Sequence, residues 1–475
     1  MIFDTPQYRA IVQDGLIVKK FEDALYPKLL FREEAMMEMW GDGQGDMKLF
    51  TGDGLLPVST APLQPRQDPT PKQYTREQWE ARMRYLGDAI DTHVPTAVAA
   101  AVNFILRDVR KLGEQAGDAL DRVCRNSLAN AGESGWTVAD GAAGPATTIR
   151  VKRLNGFTRA RRPDLTTGSP VKYDPVSVNN PLPIRYGTGS SLANSATVVG
   201  FTPDFPGDEI GPGTITVAVA ITVADRDLIA STARTARRIS GGGFRVDDVG
   251  SADRLTLADI RNGVARMSTV DVPKHGDGYF HLHMDATGRE QIFADNEFQR
   301  LHESLPDGLA YTEFAVKKIL GTIVYENNRC PQPLNVGITN GQTDGSADNY
   351  NPARETFAGE LYNNGDPASA TAQVHRAIMT GAEGLREYQV DLDTYVTDVG
   401  LNGKLSEMPK VSAQGGEVNT RGVKLIQRAP QNRRQDEIGQ MWAYEGDFVF
   451  RPDGATGDGA YFKRVFVILH GDAVT

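Results

Sequence analysis

HLHMDATGREQIFADNEFQRL, His281 to Leu301, is the stretch on which the reading of this chain turns. It opens with two histidines two residues apart and an aspartate two further on. In a strand, residues i and i+2 share a face, so Tyr279, His281 and His283 point one way and Phe280, Leu282 and Met284 the other. Two histidines on one face can hold a metal, and Asp285 offers a further ligand. The alternative needs no metal. YFHLHM is a strand, Asp285 or Thr287 caps the helix that follows, and Thr287 with Glu290 forms a capping box. Ile292, Phe293 and Leu301 then pack inward.

The metal reading implies a metal-dependent hydrolase built on His281, His283 and Asp285. It lacks ligands. A metallo-β-lactamase-type motif needs another histidine directly after the aspartate, where Ala286 stands. The other histidines, His93, His275, His302, His375 and His470, have no HxxxH or HxxE context. The metal-free account explains every residue, so no catalytic, cofactor-binding or metal-ligating residue is assigned. Other constellations fail as well. There is no GxSxG elbow, and the glycine run GDGQGD at 41–46 lacks the GK[ST] ending of a phosphate loop. Asp344, Gly345 and Asp348 lack EF-hand spacing.

Length and charge set the frame. The chain has 475 residues, 40% hydrophobic and 24% charged, with 49 Gly and 26 Pro that imply many turns and long loops. Its formal net charge of −10 argues against a dedicated nucleic-acid binder. Cys124 and Cys330 match no CxxC pattern, which predicts a reducing compartment. The N-terminus, MIFDTPQYRAIVQDGL, has no basic n-region before an apolar core, which predicts no signal peptide. No apolar run is long enough to span a membrane.

Outward from the opening stretch, other elements are legible. PTAVAAAVNFILRDVRKLGEQAGDALDRVCRNSLAN, from Pro95, reads as about 35 residues of helix, roughly 50 Å long. Val102, Ile105, Val109, Leu112, Ala116, Ala119 and Val123 form its apolar stripe, and Asp118–Arg122 and Asp121–Arg125 are favourable i,i+4 pairs. TREQWEARMRYLGDAI, from Thr75, is ambiguous. Thr75 and Gln78 suit a helix cap, while Trp79, Ala81, Met83 and Tyr85 alternate as in a strand. TITVAVAITVA (214–224) alternates strictly, with Ile215, Val217, Val219, Ile221 and Val223 on one face, as a half-buried strand does. It lies in a β-rich insertion at 131–254. There RVKRLNGFTRARR (150–162) carries six positive charges, which suit a local acidic partner or a solvated face. Thr256 and Asp259 cap a helix over LTLADIRNGVARM. FAVKKILGTIVYEN reads as a short helix or strand entering a strand, and 337–372 as a long polar loop.

The order of these motifs resembles the central block of tailed-phage major capsid proteins, in the group related to the coat protein of the podophage N-four. That group has a strand ending in His-Pro-Asp, a helix, then a Leu-Gly-hydrophobic strand with Asn and Pro behind it. Here HLHMD, FADNEFQRL and FAVKKILGTIVYENNRCPQP follow in that order, with Met284 where the group usually has Pro. GLLPVSTAPLQP, KQYTREQWEARMRYLGDAIDT and the long helix are similar to its extended loop and spine helix. QDEIGQMWAYEGDFVF is similar to its closing strand. The resemblance covers about half the chain, and residues 131–254 lie outside it.

The resemblance implies an α+β, HK-97-type phage capsid fold with a β-rich insertion domain. Residues 1–46 would be an N-terminal arm, 47–93 an extended β-hairpin arm, and 94–130 the spine helix of a peripheral domain lying on a sheet. Residues 131–254 would be the insertion, and 255–475 an axial domain with the rest of the peripheral domain. TREQWEARMRYLGD then becomes strand. The implied function is mechanical: a structural protein of the virion, assembled in the host cytoplasm, closing as hexamers and pentamers into an icosahedral shell. Its partners would be itself, a portal, and scaffold or decoration proteins. Packaged DNA would be contacted nonspecifically, and there is no membrane and no cofactor. Gly52, Asp53, Gly54, Leu55, Leu56, Arg159, Arg161 and Arg162 are the candidate contacts between subunits. A β-rich phage surface or adhesion protein, with 131–254 as its binding domain, is the other non-enzymatic reading.

Overall fold

The computed structural model describes residues 19–21, 23–25, 30–40, 47–53, 68, 71–72, 76–93, 104–161, 171–188, 191–303, 318–327, 330, 372–390, 422–428, 437–452 and 462–473. The fold is mixed α+β. The chain divides into two units: 1–48, 80–124 and 385–449 form the first, and 49–79, 125–384 and 450–475 the second.

The first unit is built on a five-stranded sheet. Strand β1 (Met36–Trp40) runs parallel to β18 (Leu385–Val390), which neighbours β20 (Glu437–Phe450); β19 (Val423–Arg428) and β4 (Arg84–His93) flank β20. The β4–β20 ladder runs antiparallel from Arg84↔Gly446 to His93↔Glu437. It settles 84–93 as strand β4, while β3 (Arg76–Arg82) pairs in another sheet, so the ambiguous stretch forms two strands. The alternating side chains gain a long partner strand, which outweighs a local cap signal.

The predicted long helix is α1, Phe104–Gly132. Its stripe is shifted from the expected one. Val109, Leu112, Ala116, Leu120, Cys124 and Leu128 are fully buried, while Ala119 and Val123 are half-buried. From Ala116 the 3.6-residue period leads to the larger side chains at 120, 124 and 128, and burial follows them. Val102 and Pro95 lie outside the described residues. Ile105 lies on the helix, but its side chain is not described. At Gly113, a Cβ would stand 2.7 Å from the carbonyl oxygen of Phe21, so glycine lets the N-terminal segment lie against the helix.

The second unit holds two six-stranded sheets. One has the order β5 (Trp136–Val138), β12 (Leu228–Ser231), β9 (Leu182–Gly187), β10 (Asn194–Pro203), β11 (Gly213–Val223), β6 (Ala143–Val151). Its core includes Ile149, Val198, Ile215, Val217 and Ile221. The strict alternation expected of β11 breaks at Val219, which is 74% exposed. The register against β6 shifts between Thr216 and Ile221, and that irregularity turns Val219 outward.

The other sheet has the order β13 (Arg237–Ile239), β21 (Val465–Ala473), β17 (Ala372–Thr380), β14 (Phe280–Met284), β16 (Thr322–Glu326), β15 (Lys318–Ile319). Helices α2 (Leu257–Thr269), α3 (Ala286–Ala294) and α4 (Asn296–Glu303) accompany it. Leu257, Ile260, Phe280, Leu282, Ile292 and Ile468 share its core. Thr256 caps α2 with Asp259 in the predicted capping box. Among the described residues, a further sheet has four strands, β2 (Met47–Asp53), β3, β8 (Val171–Pro175) and β7 (Arg159–Arg161).

Candidate functional site

The opening stretch forms β14 followed by α3. Phe280, Leu282 and Met284 are fully buried, and His281 and His283 share the other face, where both contact the Tyr325 ring. Asp285, the first alternative, is the helix cap: its Oδ1 accepts from the Gly288 N–H at 2.8 Å. Thr287 lies inside the helix, so the expected Thr287–Glu290 box does not form the cap.

Two of the three candidate ligands, His281 and Asp285, are taken by separate partners. His281 Nε2 lies 2.8 Å from Asp277 Oδ2, and its ring stacks on His275 at 3.8 Å. Asp285 Oδ2 accepts from His375 Nδ1, on β17. Among the described residues the ligand atoms of His281, His283 and Asp285 do not gather within 4.8 Å of one another. The chemistry of Asp285 is that of a buried anchor. Burial raises its carboxyl, but the hydrogen bond and charge of His375, the Gly288 N–H and His470 together outweigh it, and the net value lies below the ordinary one.

Two buried ionic clusters escaped the sequence reading. In the first unit, Arg32 Nε donates to Glu387 Oε2 at 2.9 Å, and Tyr444 Oη donates to Glu387 Oε1 at 3.1 Å. Asp121 Oδ1 accepts from the backbone N–H groups of Leu30, Phe31 and Arg32 at 2.8, 2.6 and 3.3 Å. Asp121 thus holds the N-terminal segment, a role that its i,i+4 spacing does not announce. In the second unit, Glu133 accepts from Arg153 Nη1 at 2.7 Å and from Arg376 Nε at 2.5 Å, with all three side chains fully buried. Burial raises the Glu133 carboxyl, but Arg376 and Arg153 outweigh it and hold it at about 2. Arg237 also faces Glu133; burial, with Arg376 and Arg153, lowers it to about 10. No local pattern reveals these groups, because Arg32 and Glu387 lie 355 residues apart and Glu133 and Arg376 lie 243 apart.

The candidate inter-subunit residues are scattered. Gly52 lies on β2, where a Cβ would stand 2.9 Å from the Trp79 ring. Asp53 ends that strand, and Gly54, Leu55, Leu56 and Arg162 lie outside the described residues. Arg159 is half-buried and meets Glu209 at 2.9 and 3.0 Å. Arg161, on β7, pairs with Tyr173. The basic run finds acids in its own chain at three points: Arg150 with Asp140 and Asp204, Arg153 with Glu133, and Arg159 with Glu209.

Comparison with solved structures finds similarity to bacteriophage capsids. The chain is similar to the capsid structure of the cyanophage P-SCSP1u, at 8% identity over 93% of this chain and 87% of that one, with a TM-score of 0.47. It is similar to the capsid asymmetric unit of cyanophage Pam1, at 10% identity over 95% and 93%, TM-score 0.47. It is also similar to the capsid of Ralstonia phage GP4, at 9% identity over 93% and 88%, TM-score 0.44. No protein-family profile matches the chain, and no curated protein matches it.

Proposed function

We propose that the chain is the major capsid protein of a tailed bacteriophage, a structural shell subunit of HK-97 type without catalytic activity. The observation that carries this reading is the block from Phe280 to Glu326. Strand β14 ends just before Asp285, whose carboxylate caps α3, and α4 follows. Leu320 and Gly321, both at positive φ, turn the chain between β15 and β16. β16 then lies parallel to β14, from Phe280↔Thr322 to Met284↔Glu326. This is the strand, aspartate turn, helix and Leu-Gly strand on which the resemblance rests. The pairing of β2 with β3 supports a hairpin arm, and the 29-residue helix α1 supports a spine helix.

In the proposed shell, hexamers and pentamers use the same surfaces. Residues 1–46 and 47–93 serve as arms, and 131–254 as an inserted domain. Exposed apolar side chains on the arm strands support this. Met36 and Met37 are 43% and 45% exposed, and Met47 and Leu49, on one face of β2, are 52% and 50% exposed. Such side chains lower their free energy when a neighbour covers them. The net charge of −10 suits a container that must release its DNA. A portal, and scaffold or decoration proteins, complete the set of partners. No helix among the described residues is long and apolar enough to cross a membrane.

Sedimentation of the purified chain, with negative-stain microscopy of the heaviest fraction, tests the reading. Shells, tubes or six-membered rings support it. A small species carrying about one zinc or manganese per chain, lost on His283→Ala, would replace it with the hydrolase.

A further inference from the structure

His470 is fully buried at the centre of β21, and neither of its ring nitrogens has a hydrogen-bond partner. Directly across the antiparallel ladder stands His375, also buried, with ring centroids 5.5 Å apart. His375 Nδ1 is committed to Asp285 Oδ2, and Asp285 Oδ1 is committed to the cap of α3. The helix start closes over the imidazole: a Cβ at Gly288 would lie 3.4 Å from the His470 ring.

We propose that the Asp285–His375–His470 cluster is an acid-triggered release point, at which a proton taken up by His470 loosens the β17–β21 pair and the start of α3.

The reason is geometric. A protonated imidazole has two donors, and each needs an acceptor in a dry interior. Asp285 could serve one only by moving from its present seat, at the expense of the helix cap or the His375 bond. The other acids facing His470 are already engaged or lie further along the chain. Asp259, on α2, is held by Arg238, Ser240 and its own capping box. Asp472, two residues on along β21, stands opposite Gln373 rather than His375. Among the surrounding groups, burial and His375 lower the His470 value, against Asp285, Asp259 and Asp472, to about 4.

The sign follows from the lowered value. The unfolded chain takes up this proton near pH 6.5 and the folded chain near 4. The stabilisation is complete above 6.5 and is lost as pH falls towards 4. One such group raises the opening constant on the order of a hundredfold across that window. This inference does not depend on the capsid reading, because it concerns the second unit of a single chain.

Hydrogen-exchange mass spectrometry of the full chain between pH 7 and 4, corrected for intrinsic rates, tests it. Peptides covering 372–380 and 465–473 are expected to lose protection as pH falls, while those covering 213–223 keep theirs. In His470→Gln, whose side chain does not titrate, the first two should hold their protection. Uniform loss across all three regions in the wild type would overturn the proposal, and needs no variant. So would an unchanged pH response in a folded His470→Gln.

Discussion

Arg32 and Glu387 close a buried ion pair across 355 residues of sequence, Nε to Oε2 at 2.9 Å and Nη2 to Oε1 at 2.5 Å. The Tyr444 ring lies 5.5 Å from the guanidinium, and its hydroxyl donates to the same carboxylate. The pair joins the N-terminal segment to β18. Arg32→Ala leaves Glu387 charged and unpaired in the interior, and should cost about 3–5 kcal/mol. The double change Arg32→Met with Glu387→Leu should recover most of that loss, because the desolvation of both ions disappears. Urea denaturation of the unassembled chain reads both.

Asp121 holds the same segment by its backbone. Three N–H groups converge on one oxygen, so Asp121→Ala removes the acceptor of all three and should cost about 2 kcal/mol or more. Asp121→Asn keeps the acceptor and should cost less. Limited proteolysis distinguishes them: cleavage before Leu30 should accelerate in the alanine variant and much less in the asparagine variant.

Glu133 makes the second unit sensitive to strong acid. Its carboxyl is held at about 2, below the ordinary 4.5, by Arg376 and Arg153 against the effect of burial. Its stabilisation is therefore present above pH 4.5 and lost as pH falls through about 2, on the order of 3 kcal/mol. Glu133→Gln should abolish that part of the acid dependence. It should also lower stability at pH 7, since three arginines then lack their anion. Denaturation midpoints at pH 7, 4 and 2.5 check both.

Gly156 marks a close backbone approach. Its φ is +81°, and a Cβ there would stand 2.2 Å from the backbone nitrogen of Gly135. That nitrogen donates to the Asn155 carbonyl at 3.0 Å. Gly156→Ala combines left-handed strain with a clash against backbone, and should destabilise by more than about 2 kcal/mol. A control at Gly207, also at positive φ (+84°) but with nothing within 4 Å, should cost only the strain. Thermal melts compare the two.

Arg161 and Arg162 test the proposed contacts between subunits. Arg159 has Glu209 as its partner, so its reversal would disturb the chain itself. Reversing Arg161 and Arg162 to Glu should reduce the yield of assembled particles, and an unchanged yield from a folded chain would count against contacts at these positions. Sedimentation reads the yield, and melting of the same preparation shows whether the chain is folded.

The legible parts of the chain were those in which one local signal ran unopposed. Thr256 and Asp259 announce α2 because cap, box and apolar period agree. The 76–93 stretch carries two signals, and only strand pairing decides between them, β3 in one sheet and β4 against β20, hundreds of positions on, in another. Val219 shows a limit of pattern: alternation predicts burial, but a register shift against β6 turns the side chain outward. The opening histidines misdirect for a related reason. Spacing places His281 and His283 on one face, but the partner of Asp285 is His375, brought there by strand pairing. The burial of His470, and the ion pairs of Arg32 and Glu133, depend on that tertiary pairing and leave no trace in any short window.

The central claim is that many copies of this chain close into a shell, and cryo-electron microscopy of particles formed on expression tests it most directly. The account predicts icosahedral or tubular lattices of six-membered rings. In them, residues 47–93 extend over a neighbouring subunit, and Met36, Met37, Met47 and Leu49 are covered. A discrete oligomer without such a lattice, in which those side chains stay exposed and His281, His283 and Asp285 converge on a bound metal, would contradict it.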